Sequence, residues 1–299
     1  MKEVAQTSTH GILESSLIES YRQISKESLP EWAVHKRNSN ELVKPTIPFV
    51  GKHYAEQVRK ILVYASAENL ADYWKGNDKH WVGDWLDDDS QAENRHRKCF
   101  DDPGMQGDPF FPHVHIGPMN NGCLATAAYY IASKLYQLEF SNPRDFYETI
   151  AFGNYGKYSI ETALQRSKRL GIEQNGGKAN IDYAGNKELL AASHAFLRAD
   201  LSELKPDCII LPKAMYEADR VFIDQHKGHA VIVPIHQINT RVINLHIAPK
   251  HSRYDIERLP RSVQVWYERL QQEGMTGKNK ENFLSVFTYL DSVLEHDLR

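Results

Sequence analysis

Four short apolar segments indicate the fold of this 299-residue chain: KILVYA at 60–65, YETIAFG at 147–153, DCIIL at 207–211 and AVIVPI at 230–235. Short apolar runs of this kind are typical of strands buried on both faces of a parallel sheet. A further β-type run, VINLHIA at 242–248, follows a polar turn. We therefore expect a short, mostly parallel sheet.

Segments with helical periodicity separate these runs. Helices are predicted at 12–29, 119–138, 187–204, 212–226, 260–273 and 280–296. Strands that alternate with helices predict the α/β class, here a three-layer α/β/α sandwich with a mostly parallel central sheet. We expect residues 1–44 to form a helical segment that packs on a single α/β domain, 45–299.

The composition excludes several classes of protein. With 36 Lys and Arg against 39 Asp and Glu, the formal charge is 36 − 39 = −3, so a globally basic nucleic-acid coat is excluded. No run of 18 apolar residues is present, which predicts no membrane-spanning helix. The N-terminus lacks an apolar signal region, and three cysteines cannot form a disulfide framework. We expect a cytoplasmic protein with reduced thiols.

Charge is distributed unevenly along the chain. Residues 84–108 hold eight acids and three bases, 3 − 8 = −5, within a polar insertion at 75–118. Residues 241–261 hold five bases and two acids, 5 − 2 = +3. The two blocks are either an acidic loop and an anion-facing edge, or two solvated surfaces.

Polar residues follow the first predicted strand. Ligands of open parallel sheets bind at the carboxyl ends of the strands, which directs attention to 66–69, 154–158, 212–216 and 248–254. Ser66, Glu68 and Asn69 come first and are expected to begin a helix. They can bind an anion or simply cap that helix.

The segment FGNYGKY at 152–158 places an amide between aromatic residues. Asn154 offers one acceptor and two donors, so it can recognise the edge of a nucleobase, on which a neighbouring aromatic ring can stack. The alternative is a glycine turn with Asn154 in a left-handed conformation.

The last run is followed by APKHSR at 248–253. His251 and Ser252, flanked by Lys250 and Arg253, can hold a phosphate or stabilise an anionic leaving group. The alternative is an exposed basic loop.

Histidines also allow a metal-site hypothesis. His96, Cys99, His113 and His115 are residue types that zinc accepts, although a His-x-His pair is also typical of one face of a strand. The chain has no CxxC, HExxH, GxSxG, Walker A or GxGxxG motif. We expect neither a metal nor a cofactor, and a metal-assisted α/β hydrolase remains an alternative.

The order of these segments resembles the uracil-DNA glycosylase superfamily. The resemblance is carried by PFVGKHY at 48–54, KILVYASAEN at 60–69, IGPMNN at 116–121, AFGNYGKY at 151–158, LSELKPDCIILPKAM at 201–215 and LHIAPKHSR at 245–253. It implies a divergent DNA-repair enzyme that hydrolyses the N-glycosidic bond of a uracil or modified base flipped from single- or double-stranded DNA.

The resemblance also implies roles for individual residues. Asn154 would read the base, Phe111 or Phe152 would stack on it, and His251 would stabilise the leaving base. Ser66, Lys250, Ser252 and Arg253 would contact phosphates. Ala67 occupies the position at which the family has a water-positioning Asp or Asn, so Glu68 or Asn69 would have to take that role. The alternative is an inactive protein of the same fold that binds nucleic acid or a nucleobase-like small molecule.

Overall fold

The computed structural model describes residues 9–31, 42–43, 45, 47–67, 123–138, 143–160, 164, 182–236, 238, 242–251, 255–272, 274 and 277–296. Its longer helices are α1 (Thr9–Glu27), α2 (Cys123–Tyr136), α3 (Pro143–Tyr147), α4 (Lys187–Leu204), α5 (Lys213–His226), α6 (Arg261–Gln272) and α7 (Lys278–His296). The strands are β1 (Leu42–Val43), β2 (Phe49–Val50), β3 (Ile61–Ala67), β4 (Ile150–Gly156), β5 (Ser159–Ile160), β6 (Cys208–Pro212) and β7 (Val231–Ile235).

Five strands form one mixed sheet in the order β2-β4-β3-β6-β7. Strands β4, β3, β6 and β7 are parallel, and β2 adds to β4 in the antiparallel direction. Strands β1 and β5 form a separate antiparallel pair. The α/β class and the mostly parallel sheet are confirmed, and β3, β6 and β7 match the predicted runs at 60–65, 207–211 and 230–235.

The two faces of the sheet contribute to two separate clusters of buried side chains. Ile61 and Val63 of β3 belong to one cluster, with residues of α2 and α7. Leu62 and Tyr64 belong to the other, with residues of α1, α4 and α5. Successive strand residues point to opposite faces, so alternation along β3 explains why the strand is apolar throughout.

Local sequence signals determine where helix α4 begins and ends. Asn186 is its N-cap, and the side-chain oxygen accepts a hydrogen bond of 3.1 Å from the backbone N–H of Leu189. The helix ends at Lys205, whose left-handed backbone (φ 46°) lets its N–H reach the carbonyl of Leu201. These signals are local, and the predicted helix at 187–204 is confirmed.

The fourth strand lies three residues later than the sequence suggests. Helix α3 occupies Pro143–Tyr147, and the turn after it closes with a bond from Thr149 N–H to the Phe146 carbonyl. Pro143 fits the first position of a helix, where no N–H is needed. The strand therefore begins at Ile150 and includes Asn154, which the sequence analysis placed beyond its end.

The predicted strand at 242–248 is wrong. Residues Ile243–Ile247 form a π-helical turn. A strand would place residues 243, 245 and 247 on one face. Instead Ile243 and Ile247 are buried while Leu245 is 58% exposed, and the four-residue spacing of the two buried isoleucines fits a helical turn.

Helix α1 packs against α4. The Tyr21 hydroxyl donates to Asp200 at 2.7 Å, and the Ser16 hydroxyl donates to Glu203 at 2.6 Å. The N-terminal helix thus packs on the α/β core, while the domain boundary at residue 44 stays a prediction. Within the described ranges, no helix is long and apolar enough to cross a membrane.

Candidate ligand-binding site

The chain connectivity marks one position along the carboxyl edge of the sheet. From β3 the chain continues to β4 on one side, and it then returns to β6 on the other side of β3. Such a reversal leaves a crevice outside the carboxyl ends of the two central strands, where ligands of open α/β sheets bind. In this sheet that position lies beyond the ends of β3 and β6, between β4 and β7.

Asn154 lies beside this crevice, near the carboxyl end of β4. It pairs with Ala65 of β3 and is only 4% exposed. Phe152, two positions earlier, shares its face of the strand and packs against the cluster that contains Ile150. The Asn154 side-chain amide offers one acceptor and two donors at this end of the strand. Because the residue is almost completely buried, hydrogen bonds between this amide and a ligand would form in a low-dielectric environment, where they are stronger than in water.

Ser66 does not begin a helix, as the sequence analysis predicted. Strand β3 extends through Ser66 to Ala67, and Ala67 pairs with Gly156. The side chain of Ser66 is half-buried at this end of the strand. Helix capping by Ser66 is therefore wrong, while its contact with an anion stays a prediction and Glu68 and Asn69 lie outside the described residues.

His251 is half-buried and contacts Tyr289 of α7, with ring centroids 5.6 Å apart in an edge-to-face arrangement. The π-helical turn carries it there, because the N–H groups of Lys250 and His251 both bond to the Ile247 carbonyl. Lys250 is exposed beside it. The predicted segment follows a helical turn instead of a strand, and Phe111, Ser252 and Arg253 lie outside the described residues.

His236, the first residue after β7, is a site residue that was not predicted from the sequence. Its backbone N–H donates to the Tyr289 hydroxyl at 2.7 Å, and its ring lies 5.4 Å from that of Tyr289. Tyr289 thus brings His236 and His251 to one place. The position of His236 directly after the predicted strand AVIVPI could have identified it as a strand-end residue. Because a further strand was incorrectly predicted at 242–248, His236 was assigned to the turn between the two strands.

Lys213, which follows β6 directly, lies in the predicted segment 212–216, but the sequence did not assign it a role. Pro212 pairs with Ile235, so Lys213 and His236 are the first residues beyond two neighbouring strand ends. The π-helical turn and the residues that follow it add His246, Lys250 and His251. We call the five residues the cationic edge cluster: Lys213, His236, His246, Lys250 and His251.

The environment favours neutral imidazoles at His236 and His251. Burial, followed by the charges of Lys213, His246 and Lys250, lowers the pKa of His236, and Glu217 opposes this effect. Burial and the charge of Lys250 lower the pKa of His251. Neutral imidazoles can donate and accept hydrogen bonds, and each can take up a proton when negative charge arrives.

A hydrogen-bonded group on the other face fixes the end of β4. The Tyr155 hydroxyl donates to Asp219 at 2.8 Å, and His194 Nε2 lies 2.8 Å from the same carboxylate oxygen. Asp219 has non-helical backbone angles within α5. Burial and Asp219 raise the pKa of Tyr155, so the phenol keeps its proton and its bond. These contacts hold the residue next to Asn154.

The metal-site hypothesis receives no support in the described part of the chain, where no group of three or more His, Cys, Asp or Glu side chains can hold an ion. His96, Cys99, His113 and His115 lie outside the described residues, so that alternative stays a prediction.

Comparisons with protein-family models, curated proteins and solved structures found no match to this chain. A function for the carboxyl edge of the sheet must therefore come from its own residues and geometry.

Proposed function

We propose that this protein is a divergent uracil-DNA glycosylase-like enzyme, built as a three-layer α/β/α sandwich, that hydrolyses the N-glycosidic bond of a nucleotide flipped from DNA. The observation that carries the proposal is Asn154, a buried amide near the carboxyl end of β4, at the edge of the sheet where the chain reverses direction around β3.

Asn154 has the chemistry to read a base. A carbonyl oxygen and an amide N–H point in nearly the same direction, so they can pair with a donor and an acceptor on one base edge. Because the side chain is already removed from water, a correct base gains hydrogen bonds without desolvating the protein group. A base that presents the wrong edge leaves the buried amide unpaired, which gives selectivity.

The cationic edge cluster supplies the second support. Phosphate contacts from lysine position nucleic acid without reading its sequence. Lys250 and Lys213 place positive charge at the same edge of the sheet as Asn154. In the proposed reaction, water attacks C1′ of the sugar, the bond from C1′ to the base nitrogen breaks, and the base leaves as an anion that then takes up a proton. His251 is the proposed stabiliser of that anion.

Binding without turnover is the second candidate. Ala67 ends β3 and pairs with Gly156, and its methyl group can neither activate nor position water. Hydrolysis therefore requires Glu68 or Asn69 for that role. If neither supplies it, the same crevice binds a flipped base or a nucleobase-like molecule and releases it unchanged.

The test is a single-turnover excision assay with protein in excess. Single- and double-stranded oligonucleotides would carry uracil, hypoxanthine, xanthine or an alkylated base, and abasic sites would be scored by alkaline cleavage. Asn154→Ala and Asn154→Asp probe base reading, and His251→Ala probes the leaving group. His229→Ala is a matched control, because His229 is exposed next to Asp207 at the amino edge of the sheet.

We expect excision of one of the bases, unaffected by His229→Ala and reduced at least about 100-fold by His251→Ala, the scale of losing one general acid–base or anion-stabilising group. Product formation that survives Asn154→Ala would contradict the base-reading role. Binding in fluorescence anisotropy without any product would replace the enzyme by the binding protein. Absence of both would overturn the proposed function.

A further inference from the structure

The cationic edge cluster contains a residue for which base excision assigns no role, His236, and it lies next to Lys213. We infer that Lys213, His236 and Lys250 form a subsite for a phosphate dianion or phosphodiester, and that His236 takes up a proton when the anion binds. The inference rests on the proposed function at one point, where it assumes that the phosphate belongs to a nucleotide. The subsite itself is tested with an inorganic anion.

The strand register places the first two groups together. Pro212 and Ile235 are paired across β6 and β7, so the next residue on each strand, Lys213 and His236, leaves the sheet at the same level. Lys213 is half-buried, which limits the conformations of its side chain. The backbone of His236 is held by its 2.7 Å bond to the Tyr289 hydroxyl.

The third group arrives from the π-helical turn, which is fixed on α7. The Asn282 amide donates to the Asn244 side-chain oxygen at 3.0 Å, and Asn282 is 4% exposed. The turn then carries Lys250, whose N–H bonds to the Ile247 carbonyl at 3.0 Å. Two lysines from separate elements thus flank one half-buried imidazole.

The charges around His236 explain why a proton should accompany the anion. Lys213 and Glu217 face it from α5, His246, Lys250 and His251 from the π-helical segment, and Tyr289 from α7. With neutral imidazoles the formal charge is +2 from the lysines and −1 from Glu217, which gives +1. A bound dianion changes the total to −1, and one proton on His236 restores neutrality.

The free protein favours the neutral imidazole, since burial and the lysine charges lower the pKa of His236. The anion reverses that electrostatic effect and raises the pKa of His236 in the complex. Linkage then requires the anion to bind more tightly as the pH falls. The gain is up to about tenfold in affinity per pH unit for each proton taken up.

Sulfate is the probe, because it remains a dianion throughout the pH range and mimics phosphate in shape. Titration of the full chain would be followed by calorimetry at about pH 6 and about pH 8, the range in which histidine titrates. Proton uptake would be measured by repeating the titration in buffers of different ionisation enthalpy. We expect tighter binding at the lower pH, accompanied by proton uptake.

Substitutions separate charge from protonation. Lys213→Met should weaken the binding of sulfate at both pH values, because it removes a positive charge. Glu217→Gln should strengthen the binding at both, because it removes a negative charge. His236→Gln keeps a hydrogen-bonding side chain that does not titrate, so it should abolish the proton uptake. His229→Gln, at the amino edge, should change nothing.

Absence of sulfate binding at both pH values would overturn the subsite, as would binding that Lys213→Met leaves intact. Unchanged proton uptake in His236→Gln would overturn the assignment of the proton to His236. Failure of base excision with sulfate binding intact would refute the proposed enzyme and leave the subsite standing, so the two inferences fail separately.

Discussion

The ammonium group of Lys157 lies 2.5 Å from a carboxylate oxygen of Asp200, and both side chains are completely buried. Asp200 also accepts hydrogen bonds of 2.7 Å from the hydroxyls of Tyr21 and Tyr64. The ammonium lies 5.6 Å and 5.1 Å from the ring centroids of those tyrosines. Four elements therefore meet at one carboxylate: α1, β3, α4 and the segment after β4.

Asp200→Asn should be among the most destabilising single changes in this chain. It would leave the Lys157 ammonium buried without a counter-charge, for which a loss of about 3–5 kcal/mol in the free energy of unfolding is expected. Urea denaturation followed by circular dichroism measures this loss. Arg220→Ala is the control, because its ion pair with Asp224 is exposed and should contribute less than about 1 kcal/mol.

The double variant Lys157→Met, Asp200→Leu tests whether the ion pair itself stabilises the fold. A buried pair replaced by apolar residues often costs little, so the double variant should be more stable than Asp200→Asn alone. A double variant as unstable as the single one would show that the tyrosine hydroxyls depend on the carboxylate.

The fold was predictable where its signals are local. Helix α4 has an N-cap and regular apolar spacing, and β6 is a short apolar run after Pro206, so both were predicted within one residue. The pair Lys157–Asp200 has no such signal, since 43 positions separate its members and only the folded sheet brings them together.

The candidate site was predictable in part, for the same reason. His251 and Asn154 were identified from the segments that contain them, and both lie at the carboxyl edge of the sheet. Their partners were not identified. Among the described residues, His236 and His251 both have ring contacts with Tyr289 of α7, and the π-helical turn Ile243–Ile247 lies in a run that was predicted to be a strand.

Acidification should destabilise the protein through His236 and His251. Both have a pKa below the ordinary histidine value of 6.5 in the folded state. As the pH falls below 6.5, the unfolded chain therefore binds more protons, and stability present above that pH is lost as the pH passes the folded pKa values. Urea unfolding from about pH 8 to about pH 5 measures this loss, in the range where histidine titrates.

The double variant His236→Gln, His251→Gln should lose less stability over the same range, since neither glutamine titrates. His229→Gln should keep the pH dependence of the parent protein, because that histidine is exposed at the opposite edge. Equal slopes for the parent and the double variant would assign the acid sensitivity to other groups.

Gly156→Ala tests the packing at the carboxyl end of β4. A Cβ atom at this position would lie 2.7 Å from the ring of Tyr183, a distance that van der Waals contacts do not allow. Tyr183 is 2% exposed, so its ring has little room to move. We expect a loss of about 1–3 kcal/mol from overpacking, measured by thermal or urea unfolding.

The effect of Gly156→Ala on ligand affinity tests the site more directly than its effect on stability does. Gly156 is two residues from Asn154 in the same strand, so a shifted strand end should also weaken base or nucleotide binding in anisotropy measurements. Gly228→Ala is the control for glycine replacement, since no atom lies within 4 Å of the added carbon there, although its φ of +59° carries a backbone cost. Gly228→Ala should lower stability and leave ligand affinity unchanged.

Cys208 should be inert in the native protein. Burial raises the pKa of its thiol to about 12, Asp207 adds to this, and the hydrogen bond with Tyr136 opposes it. The residue is completely buried in β6. Because the thiolate is the nucleophile, a buried thiol with a high pKa reacts slowly even where reagent reaches it.

Iodoacetamide at about pH 8, near the ordinary cysteine pKa, should leave Cys208 unmodified in native protein and alkylate it fully in urea. Peptide mass mapping gives the modified fraction at this position separately from the other cysteines. Rapid alkylation of Cys208 without denaturant would show that β6 opens locally, and would contradict the stable central strand on which the carboxyl-edge site depends.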